Sequence, residues 1–308
     1  MKIAIIGGEG FIGTRLVKLL ERLNYDFTVF DKNTDINEKN FRYLDIENND
    51  SFFQINGKDV IINLAALHHD NIQPISRYDD VNVQGAVNIC NAARKFGIKK
   101  IIFTSSVAVY GFAPANTDEN GAHNFFNDYG RTKHLAEKIF INWQKEDSQN
   151  RTLVIIRPTV VFGEGNRGNV YNLLNQIASG NFLMIGSGKN VKSMAYVENI
   201  AAFLEYSLSF NAGIHIYNYI DKPDFDMNTL VSKVRNILFG KNNVGIRLPA
   251  FVGLAVGIFA DIFTKITGKN LSVSSIRIRK FLGTTQFKSS IYQTNFVPPV
   301  SLEEGLER

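Results

Sequence analysis

The stretch Tyr129-Gly-Arg-Thr-Lys133 places a phenol and an ammonium four residues apart. On a helix that spacing puts both side chains on one face, a turn apart. A cation beside a phenol favours the phenolate, so a tyrosine that normally titrates near ~10 becomes usable as a base near neutral pH. Alone, such a pair is common on helix surfaces. Here it has company. Upstream, KKIIFTSS reads as a strand ending in Thr104-Ser105-Ser106. In a doubly wound sheet, ligands sit at the carboxyl ends of the strands. A serine hydroxyl placed there, on Ser105 or Ser106, can hold the oxygen that Tyr129 deprotonates.

A second constellation opens the chain. KIAIIGG reads as a strand, and GGEGFIG continues it with Gly7, Gly10 and Gly13 at the start of a helix. Glycines in that pattern permit a tight turn and close approach of backbone to a pyrophosphate at the helix N-terminus, which puts Phe11 and Ile12 in the same site. Asp31 ends the second strand. A carboxylate there accepts hydrogen bonds from a ribose diol and repels a 2′-phosphate, which selects NAD over NADP. Asp45-Ile46, after the third strand, are placed to hold the adenine. Leu64-Ala65-Ala66 end the fourth strand with small side chains that let a cofactor pass.

The elements that must position these groups alternate. Val/Ile-rich runs (KIAII, DFTVFD, DVIINLAA, KKIIFTSS, TLVIIRPTVVFG) are separated by helical patterns. That order predicts an α/β fold: a Rossmann-type, doubly wound parallel sheet. After residue 162 the alternation loosens. Residues 1–162 are therefore expected to form the NAD-binding domain. Residues 163–308 are expected to form a smaller α/β substrate-binding part that returns some elements to the first. The lone cysteine, Cys90, excludes an internal disulfide and points to a reducing compartment. MKIAIIGGEG lacks the apolar run of a signal peptide, so a cytoplasmic protein beginning at Met1 is expected.

The net charge of +5 is uneven: residues 227–302 hold ten Lys/Arg and one acid, a net +9, leaving −4 on the rest. Such an excess suits an anionic partner. No nucleic-acid motif accompanies it, and no metal-ligand spacing surrounds His68-His69, so neither nucleic acid nor metal is expected. The basic residues flank LPAFVGLAVGIFADIFTKITGK, in which residues 251–260 carry no polar side chain. Pro249 and Gly268 suit the ends of one helix. At about 27 Å, and with Asp261 and Lys265 inside, it is a poor span. Its Gly253, Gly257 and Asp261 fall on one stripe and its large apolar residues on a broad opposite sector. Residues 249–267 thus read either as an interfacial membrane helix or as a core helix of the substrate part.

In order, G-x-x-G-x-x-G, NLAA, TSSxAVYG, YGxxK and RPTxVFG resemble the extended short-chain dehydrogenase/reductase superfamily, across essentially the whole chain. The resemblance implies NAD, a sugar diphosphate substrate and a homodimer. Carried over by position, Tyr129 is the base, Lys133 binds the nicotinamide ribose and tunes Tyr129, Ser106 binds the reacting hydroxyl, and Asn82 supports the cofactor site. Dehydratases of this superfamily carry an Asp-Glu pair before V-Y-G. Val107 and Ala108 stand there instead, which leaves 4-epimerisation, or 4-ketoreduction with the same residues. A narrower resemblance, in HHDNIQPISRYDDVNVQG, RGNVYNLLNQIASG, KSMAYVENI and FTKITGK, is to the bacterial 4-epimerases of O-antigen (lipopolysaccharide) assembly. These interconvert GlcNAc and GalNAc attached to undecaprenyl diphosphate. It implies a membrane-associated enzyme on the cytoplasmic face of the inner membrane. Soluble UDP-GlcNAc or UDP-glucose 4-epimerases and a non-catalytic NAD-binding scaffold are the other readings. Where many relatives have a diphosphate-gripping arginine, this chain has Lys192. With Arg167, His68 and Ser105 it completes the expected substrate contacts.

Overall fold

The computed structural model describes residues 1–33, 40–69, 72–166, 168–268 and 274–308. Seven strands form the main sheet: β1 (Lys2–Ile6), β2 (Asp26–Asp31), β3 (Phe41–Tyr43), β4 (Val60–Asn63), β5 (Lys100–Thr104), β6 (Thr152–Pro158) and β10 (Gly213–Tyr219). Their order is β10-β6-β5-β4-β1-β2-β3, and every neighbouring pair is parallel. The order reverses between β1 and β4, which opens a crevice beyond the carboxyl ends of those strands.

The central strands β1, β4, β5 and β6 are buried on both faces, as parallel strands under helices must be. Alternate residues assign the faces. Ala4, Ile6, Ile61, Ile101, Phe103, Leu153 and Ile155 point to one core. Ile3, Ile5, Val60, Ile62, Ile102, Val154 and Ile156 point to the other. The first core is covered by α3 (Gly85–Phe96) and α4 (Asp128–Lys145) through Ile89, Ala136, Phe140 and Trp143. The second is covered by α1 (Phe11–Arg22) and α6 (Val197–Tyr206) through Leu16, Leu20, Ile200 and Phe203. Before α3, the short α2 (Ser76–Tyr78) runs through a π-helical stretch, Asp79–Gln84, into the same rod. Cys90 is a buried member of the first core.

TLVIIRPTVVFG is two strands rather than the one its β-rich run predicts. β6 stops at Pro158. Thr159 donates its N–H to the Tyr219 carbonyl, and β7 (Val160–Phe162) leaves to pair with β9 (Val191–Tyr196). β9 also pairs antiparallel with β11 (Asp221–Asp226). A further parallel pair joins β8 (Met184–Ile185) to β12 (Arg247–Leu248). Around these lie α5 (Asn169–Ala178), α7 (Met227–Phe239), α8 (Ala250–Thr267), α9 (Ser275–Leu282) and α10 (Leu302–Glu307).

One buried ion pair ties the layers together. Arg157 on β6 forks onto Glu137 of α4, with Nε and Nη2 donating at 2.9 and 2.7 Å to its two oxygens. Arg157 also donates to the Tyr110 hydroxyl and the Glu119 carbonyl. Tyr110 donates onward to Asn218 of β10. Both charged side chains are almost wholly out of water. Removing one partner of such a pair strands the other charge, whereas replacing both with apolar groups is often neutral. Arg157→Met should therefore lower unfolding free energy by about 3–5 kcal/mol in urea titration, and Arg157→Met/Glu137→Met should recover most of it. A single-variant loss below about 1 kcal/mol, the scale of a surface pair, would remove the pair from this role.

Candidate active site

α4 begins where the chemistry was expected. Asn127 caps it, its side chain accepting from the Gly130 N–H at 2.9 Å, so Tyr129 lies in the first turn and Lys133 in the second. Gly130 explains how that turn reaches β5. A Cβ there would sit 2.4 Å from the Ala108 carbonyl oxygen, so only glycine lets α4 press against the segment that follows Ser106. The Ser106 hydroxyl accepts from the Ala108 N–H at 3.1 Å and is also the hydrogen-bonding neighbour of the Tyr129 phenol. Val107 and Ala108 start the 3-10 turn beyond it and bring no proton-transfer group.

Lys133 is buried. Its Nζ donates to the Thr104 carbonyl at 2.7 Å and lies 5.9 Å from the centre of the Tyr129 ring. Burial lowers its pKa from 10.5 to about 7, against an upward pull from Glu137. Tyr129 differs from the sequence expectation. Its burial pushes the phenol up to about 12, and the opposing contribution is the hydrogen bond with Ser106 rather than the lysine charge. Lys133 adds nothing to hold it down, because burial strips the lysine of its proton near 7, well before the phenol titrates. Ser105 is buried beside them, its N–H on the Ile156 carbonyl and its Oγ without a protein partner.

The glycine loop sits across the switch point. Gly7 has φ +78°, and a Cβ on it would lie 2.6 Å from the Ala65 nitrogen, so the loop and the Leu64-Ala65-Ala66 turn touch backbone to backbone. Gly10 caps α1 without any side-chain hydrogen bond, which leaves the first-turn N–H groups of Phe11, Ile12 and Gly13 facing the crevice. Asp31 is beside them, accepting from the Glu9 N–H at 3.2 Å. A bare helix N-terminus, a cradle that a Cβ would fill and a carboxylate at the neighbouring strand end fit a dinucleotide diphosphate and ribose.

Asn82 does more than its motif indicated. Its amide accepts from Leu67 N–H, donates to Leu67 carbonyl and donates to Thr132 Oγ1. It therefore pins the post-β4 loop to α4 between Tyr129 and Lys133. Asp45 caps its own turn at Glu47, and the Ile46 side chain packs into the core against Gly85. His68 stacks on His69 at 4.4 Å and is held below the ordinary histidine range by burial, then by His69, with repulsion from Lys133 as a lesser cause. It is thus at the rim of the site. Lys192 is turned elsewhere: its Nζ donates to the Lys280 and Gly283 carbonyls, closing the C-terminal end of α9. Arg167 lies outside the described residues.

Two features were missed in the sequence. Thr132, the residue that receives Asn82, looks like a filler between Tyr129 and Lys133. The aromatic residues Phe112, Phe125 and Phe126 flank the site, and their signal was large rings in loop segments, FAPAN and HNFFND. Among the described residues, His123, His134 and Glu137 come close enough to hold a metal. Both Glu137 oxygens are taken by Arg157, whose Nη2 lies 3.3 Å from His123 Nε2, so the cluster already holds a cation.

The burial of Lys133 predicts a pH effect whose sign is fixed. The unfolded chain binds this proton below about 10.5 and the folded chain only below about 7. Between these values the unfolded state holds more protons, so wild-type stability rises with pH across the window. Lys133→Met removes the titration. Its stability relative to wild type should grow as pH falls from about 10 to about 7 and then level off, read by urea unfolding at a series of pH values. A pH-independent gap would mean that Lys133 is charged in the fold throughout.

Comparison with known proteins agrees with this geometry. Residues 3–219 match the NAD dependent epimerase/dehydratase family. The chain is 47% identical over 314 residues to the N-acetyl-alpha-D-glucosaminyl-diphospho-ditrans,octacis-undecaprenol 4-epimerase of Escherichia coli O157:H7, covering 99% of this chain and 93% of that protein. It is 28% identical over 325 residues to the UDP-glucose 4-epimerase of Vibrio cholerae, covering 99% and 93%. The UDP-glucuronic acid 4-epimerase of Bacillus cereus, solved in complex with NAD, shares the fold with a TM-score of 0.76 at 20% identity, over 100% of this chain and 96% of that one. The chain therefore belongs to the NAD dependent epimerase/dehydratase family, and its cofactor is NAD.

Proposed function

We propose that this protein is a 4-epimerase that interconverts GlcNAc and GalNAc while the sugar is attached to undecaprenyl diphosphate. The observation that carries the carrier assignment is the 47% identity, end to end, with the E. coli enzyme named for that substrate. When bound, NAD supplies a reversible hydride acceptor for C4. Tyr129 works as the base in its phenolate form, which the positive nicotinamide of bound NAD would favour against the burial that keeps the phenol neutral in the free protein; it then takes the C4 hydroxyl proton and later returns it to the oxygen of the 4-keto sugar. Ser106 holds the same oxygen, so the reacting atoms stay within reach of the phenol. Lys133 holds the nicotinamide ribose. Asp31 selects NAD, with Gly7, Gly10, Phe11, Ile12 and Gly13 around the diphosphate and Asp45, Ile46 and Leu64-Ala65-Ala66 bordering the adenine and ribose. Ser105 and His68 border the sugar. Lys192 acts indirectly by fixing α9. Val107 and Ala108 give no acid or base for dehydration.

A water-soluble UDP-sugar substrate is the second reading, favoured by the Vibrio cholerae relative. Purified enzyme is given GlcNAc-diphospho-undecaprenol and, separately, UDP-GlcNAc, and the released sugar is analysed. GalNAc should form on the lipid carrier. Conversion of UDP-GlcNAc alone defeats the carrier assignment, and net NADH consumption would point to a ketoreductase. Tyr129→Phe should lower turnover about 10²–10⁴-fold with NAD retained.

α8 supports a membrane-proximal enzyme. Its small and polar stripe faces inward: a Cβ on Gly253 would sit 2.5 Å from Ile185, one on Gly257 would sit 2.8 Å from Ser275, and Asp261 accepts from the Ser275 N–H. The greasy sector faces out, with Phe251 73%, Phe259 71% and Ile266 78% exposed. By length and composition the helix could cross a membrane. The proposed arrangement is instead interfacial, with α8 lying in the plane of the cytoplasmic leaflet and its flanking cations on anionic headgroups. Wild-type protein should co-sediment with anionic phospholipid vesicles, and Phe251→Ser/Phe259→Ser/Ile266→Ser should not. Equal sedimentation of the two would show that α8 does not dock.

A further inference from the structure

We infer that the exposed aromatic patch of Phe112 and Phe126 holds the first isoprene units of the substrate's carrier, between the reacting sugar and α8. This rests on the lipid-carrier reading above. The two rings stack at 4.9 Å, and they remain 59% and 44% exposed. Leaving a large ring in water forfeits stabilisation that burial would supply. Each ring belongs to a segment that also carries a proposed catalytic residue. Phe112 follows Gly111, which ends the turn begun by Ser106, and Phe126 precedes Asn127, the cap of the helix carrying Tyr129. The segments are locked together: a Cβ on Gly111 would collide with the Asn124 carbonyl, and one on Gly130 would sit 3.0 Å from the Phe125 Cβ. The patch is therefore a fixed border of the site.

What adjoins the patch fits the chemistry of a prenyl diphosphate. Lys280 of α9 places its Nζ 4.8 Å from the centre of the Phe126 ring. α9 reads SIRIRKFL, with three cations and no acid, and it packs on α8 at Gly257 and Asp261. Cations for a diphosphate and apolar rings for an alkenyl chain thus lie between the Ser106–Tyr129 pair and the outward greasy face of α8. The charge complements the diphosphate, and the rings match a chain that must travel from that diphosphate toward lipid.

The test uses GlcNAc diphosphates bearing methyl, dimethylallyl, geranyl or farnesyl groups, with the full-length NAD-loaded enzyme and no detergent. For wild type, kcat/KM should climb along the series by about tenfold or more, as successive apolar groups leave water. Phe112→Ser/Phe126→Ser should flatten that climb, and Phe112→Leu/Phe126→Leu, which keeps an apolar surface, should preserve it. A serine variant that keeps the wild-type slope overturns the assignment while leaving the carrier reading intact. A flat wild-type series overturns the carrier reading and this inference with it. A loss for the serine variant that is equal on every carrier, methyl included, or a smaller particle by size exclusion, assigns the patch instead to the sugar-proximal site or to a second copy of the chain.

Discussion

The Arg157–Glu137 pair is the constraint on which the site depends. Two charges removed from water must satisfy each other, and the guanidinium fork admits one arrangement of α4 on β6. Glu137 is one helical turn beyond Lys133, which is one turn beyond Tyr129. Fixing the first therefore fixes the register of the other two. The same guanidinium reaches the Tyr110 hydroxyl, and Tyr110 ends the turn that Ser106 begins. One ion pair thus helps to position both halves of the candidate proton-transfer machinery.

The pair also shapes the electrostatics above it. Glu137 is the group that favours the charged form of Lys133, yet burial wins and the lysine titrates near neutrality. Tyr129 is likewise held as a neutral phenol by its own burial. Burial is the leading cause for both groups, while Lys133 donates to the Thr104 carbonyl and Ser106 is the hydrogen-bonding neighbour that pulls the phenol back down. The Asn82 amide adds rigidity by joining the post-β4 loop to Thr132.

Much of this was legible in the sequence because the signals are local. The Val/Ile runs of β1, β2, β4 and β5 are parallel strands buried on both faces, and such strands carry their identity in composition. Tyr129 and Lys133 share a helix face by spacing alone. Gly7, Gly10 and Gly13 mark a turn that a side chain would block. What could not be read depends on direction or on distant partners. TLVIIRPTVVFG reads as one β-rich run on both sides of Arg157-Pro158, so the change of sheet at Pro158 leaves little trace. Lys192 occupies an arginine position, but only the fold shows it closing α9. Phe112 and Phe126 come from separate loops and acquire meaning by stacking. Arg157 and Glu137 are individually ordinary until β6 lies under α4.

The direction of α8 is the instructive case. Periodicity sorts its residues into two sectors but does not state which sector is inside, and the usual rule places large apolar groups in the core. Here contact distance decides. Gly253 and Gly257 are the positions at which β8 and α9 approach the helix too closely for any side chain. The small stripe must therefore face the protein, and the phenylalanines are forced outward whatever surrounds them. Two glycines and the Asp261 hydrogen bond to the N-terminus of α9 thus determine an exposed greasy surface. Lys192 then fixes the far end of α9 to β9, so that surface has a set orientation relative to the crevice. Under the lipid-carrier reading this rigidity has a use. A sugar at the end of a long flexible chain reaches Tyr129 most often when the enzyme meets the membrane at one fixed attitude. Under that reading the attitude comes from the seating of α8 on β8 and α9 through Gly253, Gly257 and Asp261.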